Sequence, residues 1–293
     1  MYETFSSLDI KIQAAIISAC TTLLVLVLNW IWKIFYEHYS LRQKLNIEYV
    51  FEQQKSIKEE IAKSKTPLLL AAESLNYRLW NLESHKSNNW LLRTPDEWIK
   101  KEHHYIRSFV YKWVTLIYWI LKAEKSIGRY DGTLSPKEDL IYLKYVKTIK
   151  FSLCDRLLIE NLEYTSTDID NHFYIDDLEK FANYIESNGE VISFYEFEEK
   201  IKKDIKPLEN VFKFFSKTED KSHNKSTNML QSLHLIILGF LNTFGHEYQQ
   251  TDKNKIKSLL ENEYSKIAIK KEFKLFLSRH KIDKDMKSIT KYL

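Results

Sequence analysis

Arginine and histidine occur together in one strongly patterned segment, PLLLAAESLNYRLWNLESH, at residues 67–85. Arg78 carries a permanent positive charge that can stabilise a phosphate group, and His85 can move a proton near neutral pH. Together these two side chains would suit a reaction at a phosphate group, because phosphoryl chemistry needs both charge stabilisation and proton transfer. The segment predicts a helix, since its apolar residues recur at helical spacing. That packed face consists of Leu68, Ala71, Ala72, Leu75, Leu79 and Leu82.

The spacing of this pair, R-x6-H, resembles the long form used by HEPN ribonucleases, which would place Arg78 and His85 at a dimer interface. The chain contains seven arginines and nine histidines, so about 0.6 matches to the permitted spacings are expected by chance. In the structural alternative, Arg78 pairs with a carboxylate and His85 lies at a helix C-terminus, where its charge is favourable. Catalysis by this pair is therefore a secondary hypothesis.

Other polar residues offer no recognisable catalytic or metal site. His103 and His104 are adjacent and point apart, while His234 and His246 lack the H-E-x-x-H pattern of a zinc helix. The chain has only two cysteines, too few for a disulfide framework or a cysteine-rich zinc site. No glycine-rich phosphate loop is present in the sequence. The sequence thus predicts no cofactor, no metal and a reducing compartment.

The longest apolar run, IQAAIISACTTLLVLVLNWIW, occupies residues 12–32 between Lys11 and Lys33. Twenty-one helical residues span roughly the 30 Å hydrocarbon layer of a membrane. The leader contains acidic residues and no small-residue cleavage site, which is unlike a signal peptide. Basic residues are more frequent after the run than before it, so we expect a single-pass protein of the bacterial inner membrane with its C-terminal part in the cytoplasm.

Polar residues within this run share one helical face. Ser18, Thr22 and Asn29 are separated by four and seven residues, which places them within a narrow arc at about 100° per residue. Such a stripe either packs transmembrane helices together or lines a water-filled pore. Both interpretations need several copies of the chain, so the stripe predicts a homo-oligomer in the membrane.

Two groups of basic residues could bind an anionic ligand. The first, Lys100, Lys101 and Arg107, lies at the start of a predicted helix, and the second, Lys270, Lys271 and Lys274, recurs at helical spacing near the C-terminus. The net charge is only +4, so a basic surface must be local. The alternative is that both groups are solvated helix faces, since glutamates are interleaved with the second group.

The rest of the chain predicts an all-α protein. Five glycines and four prolines are few for 293 residues, and three of the prolines follow hydroxyl residues in the manner of helix starts, at Thr66, Thr94 and Ser135. We expect helices at about 67–85, 96–127, 136–163, 176–187 and 193–215. We divide the chain into a leader and transmembrane helix at 1–36, a stalk helix at 37–65 that continues it, and an all-α cytoplasmic domain at 66–293. A second apolar run at 226–246 is too polar for lipid and is interpreted as a core helix, with a second span as the alternative.

This architecture resembles the membrane effectors of bacterial anti-phage operons. One N-terminal span, a stalk and an all-α domain that opens with PLLLAAESLNYRLWNL are similar to the Hailong channel effector and, more distantly, to the pore-forming accessory protein of type VI CRISPR systems. The resemblance implies a multimeric channel gated by a nucleotide or oligonucleotide that a partner enzyme of the operon makes. A helical scaffold that only recruits a partner to the membrane is the main alternative.

Overall fold

The computed structural model describes residues 9–128, 134–163, 165, 169–219, 221, 223–263 and 270–292. The structure is 77% helical with almost no strands, and one long apolar helix at the N-terminus is followed by a helical domain, which confirms the all-α prediction. The chain divides into two compact units, Met1–Lys55 and Ser56–Leu293.

Helix α1 extends without a break over Ile10–Ser84. Its N-terminal part is long and apolar enough to cross a membrane, and its side chains there are not buried within the chain. The predicted stalk is helical throughout, as expected. The predicted helix start at Thr66–Pro67 is wrong, because Pro67 lies inside α1. Leu68, Ala72 and Leu75 are fully buried there, and this packing outweighs the roughly 3 kcal/mol that an internal proline costs.

The second unit contains nine further α-helices and one hairpin among the described residues. The helices are α2 (His104–Ile127), α3 (Lys137–Phe151), α4 (Ile175–Tyr184), α5 (Phe194–Lys203), α6 (Glu209–Ser216), α7 (Lys225–Phe244), α8 (Lys253–Ser258), α9 (Lys270–Arg279) and α10 (Lys287–Thr290). A π-helical turn at Leu259–Glu263 continues α8. Short 3-10 turns occupy Lys86–Asn88, Lys101–His103, Arg156–Ile159, Ile169–Asn171, Lys206–Leu208 and Glu247–Gln249.

The hairpin joins β1 (Glu186–Ser187) to β2 (Glu190–Val191), and the two strands are antiparallel. Its loop is Asn188–Gly189, and both residues have positive φ angles, 54° and 81°. This is the backbone that a two-residue hairpin requires and that asparagine and glycine adopt most easily. The helix expected at 176–187 is α4, which ends at Tyr184.

Helix α2 lies at the centre of the core, where it packs against α3, α4 and α6. Trp113 is almost completely buried and its ring contacts those of Phe173 and Phe215. Helix α7 is also buried along most of its length. The run at 226–246 is therefore a core helix as predicted, and α1 is the only helix in the described part of the chain that could span a membrane.

Three other helix boundaries differ from those predicted. The helix expected at 96–127 begins at His104, because the residues after Pro95 form turns and a 3-10 segment. The helix expected at 136–163 ends at Phe151. The helix expected at 193–215 is divided into α5 and α6, with Pro207 in the 3-10 turn between them.

Candidate functional site

The polar stripe of the span is fully accessible in the single chain. Ser18, Thr22 and Asn29 are all exposed, and the Thr22 hydroxyl donates a hydrogen bond to the Ser18 carbonyl at 2.8 Å. That bond lets a threonine sit in lipid or against another helix at little cost. Among residues 9–55, nothing covers the Asn29 amide, which would be expensive against lipid alone.

The first predicted basic group is not a continuous surface. Arg107 is 6% exposed, and its Nε donates to Glu198 Oε1 at 2.9 Å. Its remaining donors bind the carbonyls of Trp98, Lys100 and Lys101. The guanidinium therefore holds the turn that precedes α2 and is not presented to solvent. Lys100 is exposed and pairs with Asp96 at 3.4 Å.

The second predicted basic group lies at the start of α9. Lys270, Lys271 and Lys274, together with Leu275, line a shallow surface depression of about 450 Å³. Glu272, which is interleaved with them, is buried and contacts Asn161. Ligand binding by these lysines stays a prediction.

A smaller cleft, of about 280 Å³, collects more chemically distinctive side chains. It is formed by the C-terminal end of α1, the segment that follows it and the residues at the start of α2. We call it the arginine–aromatic cleft. Its lining residues are Arg78, Asn81, Trp90, Arg93, Glu102, His103 and Tyr105.

Neighbouring side chains hold Arg78 in place, and among the described residues none of them forms an ion pair with it. Its Nη2 donates to Ser108 Oγ at 2.9 Å, and its guanidinium carbon lies 5.0 Å from the centre of the Tyr105 ring. The Tyr105 hydroxyl donates to the Arg78 carbonyl at 2.8 Å. Burial and the charge of Arg78 both lower the pKa of the nearby Lys112 ammonium. Two cationic groups thus lie near each other, although Lys112 does not line the cleft.

Arg93 is held by a relay of hydrogen bonds. Its Nε donates to His103 Nδ1 at 3.0 Å, and its Nη1 donates to the carbonyls of Asn89 and Leu92. Because His103 Nδ1 accepts, Nε2 carries the proton of the neutral ring, and it lies 3.3 Å from Glu97 Oε1. Hydrogen bonds from Thr94, with a smaller effect of the Arg93 charge, lower the pKa of Glu97. These hydrogen bonds hold Arg93 in the lining of the cleft.

Aromatic rings form the remaining wall of the cleft. Trp90 lies 4.8 Å from Tyr105 between ring centroids, and the exposed His85 stacks on Trp90 at the same distance. Burial raises the pKa of Tyr105, so its hydroxyl stays protonated and continues to donate to the Arg78 carbonyl. Such a wall presents flat apolar surface next to fixed positive charge.

The hypothetical catalytic pair falls beside this cleft. His85 Nδ1 lies 3.0 Å from the Asn81 carbonyl; a carbonyl only accepts, so the neutral ring carries its proton on Nδ1 and keeps Nε2 as a possible base. Arg78, in contrast, is oriented by Ser108 and Tyr105. RNA cleavage by these two residues stays a prediction. Within the described part of the chain, no group of three or more His, Cys, Asp or Glu residues could hold a metal ion.

Comparison of the chain with protein-family models, with curated proteins and with solved structures found no match. Sequence reasoning found Arg78 in the cleft but missed Trp90, Arg93 and Tyr105. The only signal for them was the density of aromatic and basic residues between 90 and 107.

Proposed function

We propose that this protein is an oligomeric membrane effector of anti-phage defence that forms a ligand-gated ion channel or pore, with its second unit in the cytoplasm. The observation that carries the proposal is the extent of α1. This one helix contains both the apolar span with its polar stripe and two lining residues of the arginine–aromatic cleft, Arg78 and Asn81.

The span supports a channel more than a simple anchor. An anchor gains nothing by aligning Ser18, Thr22 and Asn29 on one face, whereas several copies that turn this face inward would hydrate it. The other faces present aliphatic side chains that suit lipid, including Leu23, Leu24 and Val27, all exposed in the single chain.

A ligand can gate such a channel only if it binds the open and closed forms with different affinity. Moving a channel from 1% to 99% open requires a preference of about 10⁴-fold, or roughly 5.5 kcal/mol, summed over the bound sites. In an oligomer each subunit contributes one cleft, so four bound ligands would need only about 1.4 kcal/mol each.

The proposal is tested with the full-length protein. Its oligomeric state is measured in detergent by light scattering, and its ion conductance is measured after reconstitution in liposomes. We expect an oligomer that conducts ions when triggered. Asn29→Leu should insert normally, since it raises hydrophobicity, yet conduct less, and Asn29→Asp should increase the preference for cations.

Two results would redirect the proposal. A wild-type monomer without conductance under any ligand would exclude a channel. Loss of the oligomer in Asn29→Leu, with no conductance in the wild type, would instead make the stripe a packing surface and favour a membrane scaffold.

A further inference from the structure

We propose that the arginine–aromatic cleft binds a single nucleotide unit, with the phosphate at Arg78 and Arg93 and the base against Trp90 and Tyr105. This inference rests on the proposed function, because it names the class of ligand that would gate the channel. It is argued from the cleft alone.

The two arginines have donors left to offer. Among the described residues, Arg78 Nε and Nη1 and Arg93 Nη2 have no hydrogen-bond partner, while the other guanidinium nitrogens are held by Ser108, His103 and backbone carbonyls. Neither arginine forms an ion pair within the described chain. A guanidinium that is fixed on one side and open on the other is arranged to bind an anion.

The anion is most simply a phosphate group. Phosphate oxygens match the planar fork of arginine, and Lys112 adds positive charge near Arg78. Glu102 is the one carboxylate that lines the cleft, and it is exposed. Its charge repels a phosphate from that side, so the ligand's phosphate lies at the arginines and its neutral part extends toward Glu102.

The neutral part is most simply a nucleobase. His85 stacks on Trp90 and Arg78 lies over the Tyr105 ring, so a base would stack on the aromatic surface that these two contacts leave open. Asn81 and Glu102 add an amide and a carboxylate, which can hydrogen bond to the edge of a base. An inorganic anion would leave the aromatic wall unused, and an uncharged ring would leave both arginines unused.

The volume limits the ligand. About 280 Å³ lies just below the roughly 300–1,000 Å³ of ordinary small-molecule pockets. One nucleotide fills such a space. A longer oligonucleotide would place one of its nucleotides in the cleft, and its other nucleotides would lie outside the cleft.

The test is equilibrium dialysis of the full-length protein in detergent against radiolabelled AMP, GMP, CMP and UMP. Adenosine, ribose 5-phosphate and inorganic phosphate serve as competitors. We expect saturable binding of at least one mononucleotide that weakens as salt rises, because phosphate contacts are salt-dependent. Each competitor should bind at least about tenfold more weakly than that nucleotide, since each satisfies only half of the cleft.

Variants locate the site. Arg93→Gln and Trp90→Leu should each weaken binding by about tenfold or more. Arg279→Gln removes the same charge from an exposed arginine that pairs with Asp155 at 3.1 Å and should leave binding unchanged. Circular dichroism melting confirms that each variant is folded, and because Trp90 and Arg93 are changed separately, misfolding of one leaves the other informative.

Three outcomes would overturn the inference. They are the absence of saturable mononucleotide binding, equal binding of inorganic phosphate, and unchanged binding in both cleft variants. Because dialysis does not involve conductance, nucleotide binding without channel activity would refute the proposed function and leave the site standing. Conductance without nucleotide binding would refute the nucleotide site and leave the proposed channel function standing.

Discussion

Arg107 shows how a residue with the chemistry of a ligand site can serve the fold instead. Its buried guanidinium donates hydrogen bonds to Glu198 and to three backbone carbonyls in the turn that precedes α2. Arg107→Gln should lower the free energy of unfolding by about 2–3 kcal/mol, because it leaves a half-buried carboxylate and several carbonyls without donors. Thermal or chemical denaturation of the full-length protein in detergent measures the change.

The matched control for this variant is Arg279→Gln. Its side chain is 62% exposed, and an exposed ion pair contributes only about 0–1 kcal/mol. If both substitutions change the free energy of unfolding equally, the buried network around Arg107 contributes nothing specific.

His234 makes the stability of the second unit depend on pH. It is fully buried, and its ring packs edge-on against Trp80 at 5.1 Å. Burial and the charge of Lys255 lower the pKa of His234 from 6.5 to about 3. In the unfolded chain the histidine takes up a proton near pH 6.5 and in the folded chain it does not. As the pH falls from 6.5 to about 3, the free energy of unfolding should therefore decrease by about 1.4 kcal/mol per pH unit.

His234→Gln tests this assignment through the slope, whatever its effect on stability at neutral pH. The variant should depend less on pH between 6.5 and 3, while the remaining slope includes His280, whose pKa is also lowered by burial. Identical slopes in wild type and variant would show that His234 does not control the acid sensitivity.

At the scale of elements, the span of α1 offers a direct test of which face meets another copy. At 100° per residue, Cys20 lies about 160° from Ser18, on the opposite side from the stripe. Thr22→Cys combined with Cys20→Ser should therefore form disulfide-linked dimers on oxidation in membranes, whereas the wild-type Cys20 should not. Cys154 does not interfere, because burial raises its pKa to about 12. Gel electrophoresis without reductant reads the result, and efficient cross-linking through Cys20 alone would place the interface on the other face.

The elements that sequence predicted correctly are those with long, regular patterns. The helical character of the span and the burial of α7 followed from apolar content, and the stalk helix followed from a charged segment free of Gly and Pro that continues the span. Local start signals were less reliable. The Thr66–Pro67 pair is overridden by packing within α1, and the capping interaction of Thr94 with Glu97 forms at 2.9 Å but is followed by turns and not by an α-helix.

The cleft could not be predicted because it depends on tertiary structure. Arg78 and Arg93 come from a helix and from the segment after it, and Tyr105 comes from α2. No fixed spacing links such residues, since the turns between α1 and α2 decide where each side chain points. Sequence patterns report periodicity within an element and carry no information on which elements meet.

At the scale of the whole molecule, the division at Lys55 and Ser56 separates two kinds of surface. The second unit buries most of its large apolar side chains in one core, which begins with Ile57 and Ile61 on α1. The stalk residues before the division bury almost none of theirs. The exposed large apolar and aromatic residues of the stalk are Tyr39, Leu41, Leu45, Ile47, Tyr49 and Phe51.

These exposed stalk residues determine how pieces of the protein should behave in plain buffer. A fragment of residues 37–293 keeps all six of them and should self-associate or precipitate without detergent, because exposed apolar patches drive aggregation. A fragment of residues 56–293 lacks them and should stay soluble and elute as a monomer from a sizing column. Ile47→Lys with Phe51→Lys should improve the solubility of the longer fragment. If the two fragments are equally soluble, the exposed stalk residues do not drive self-association.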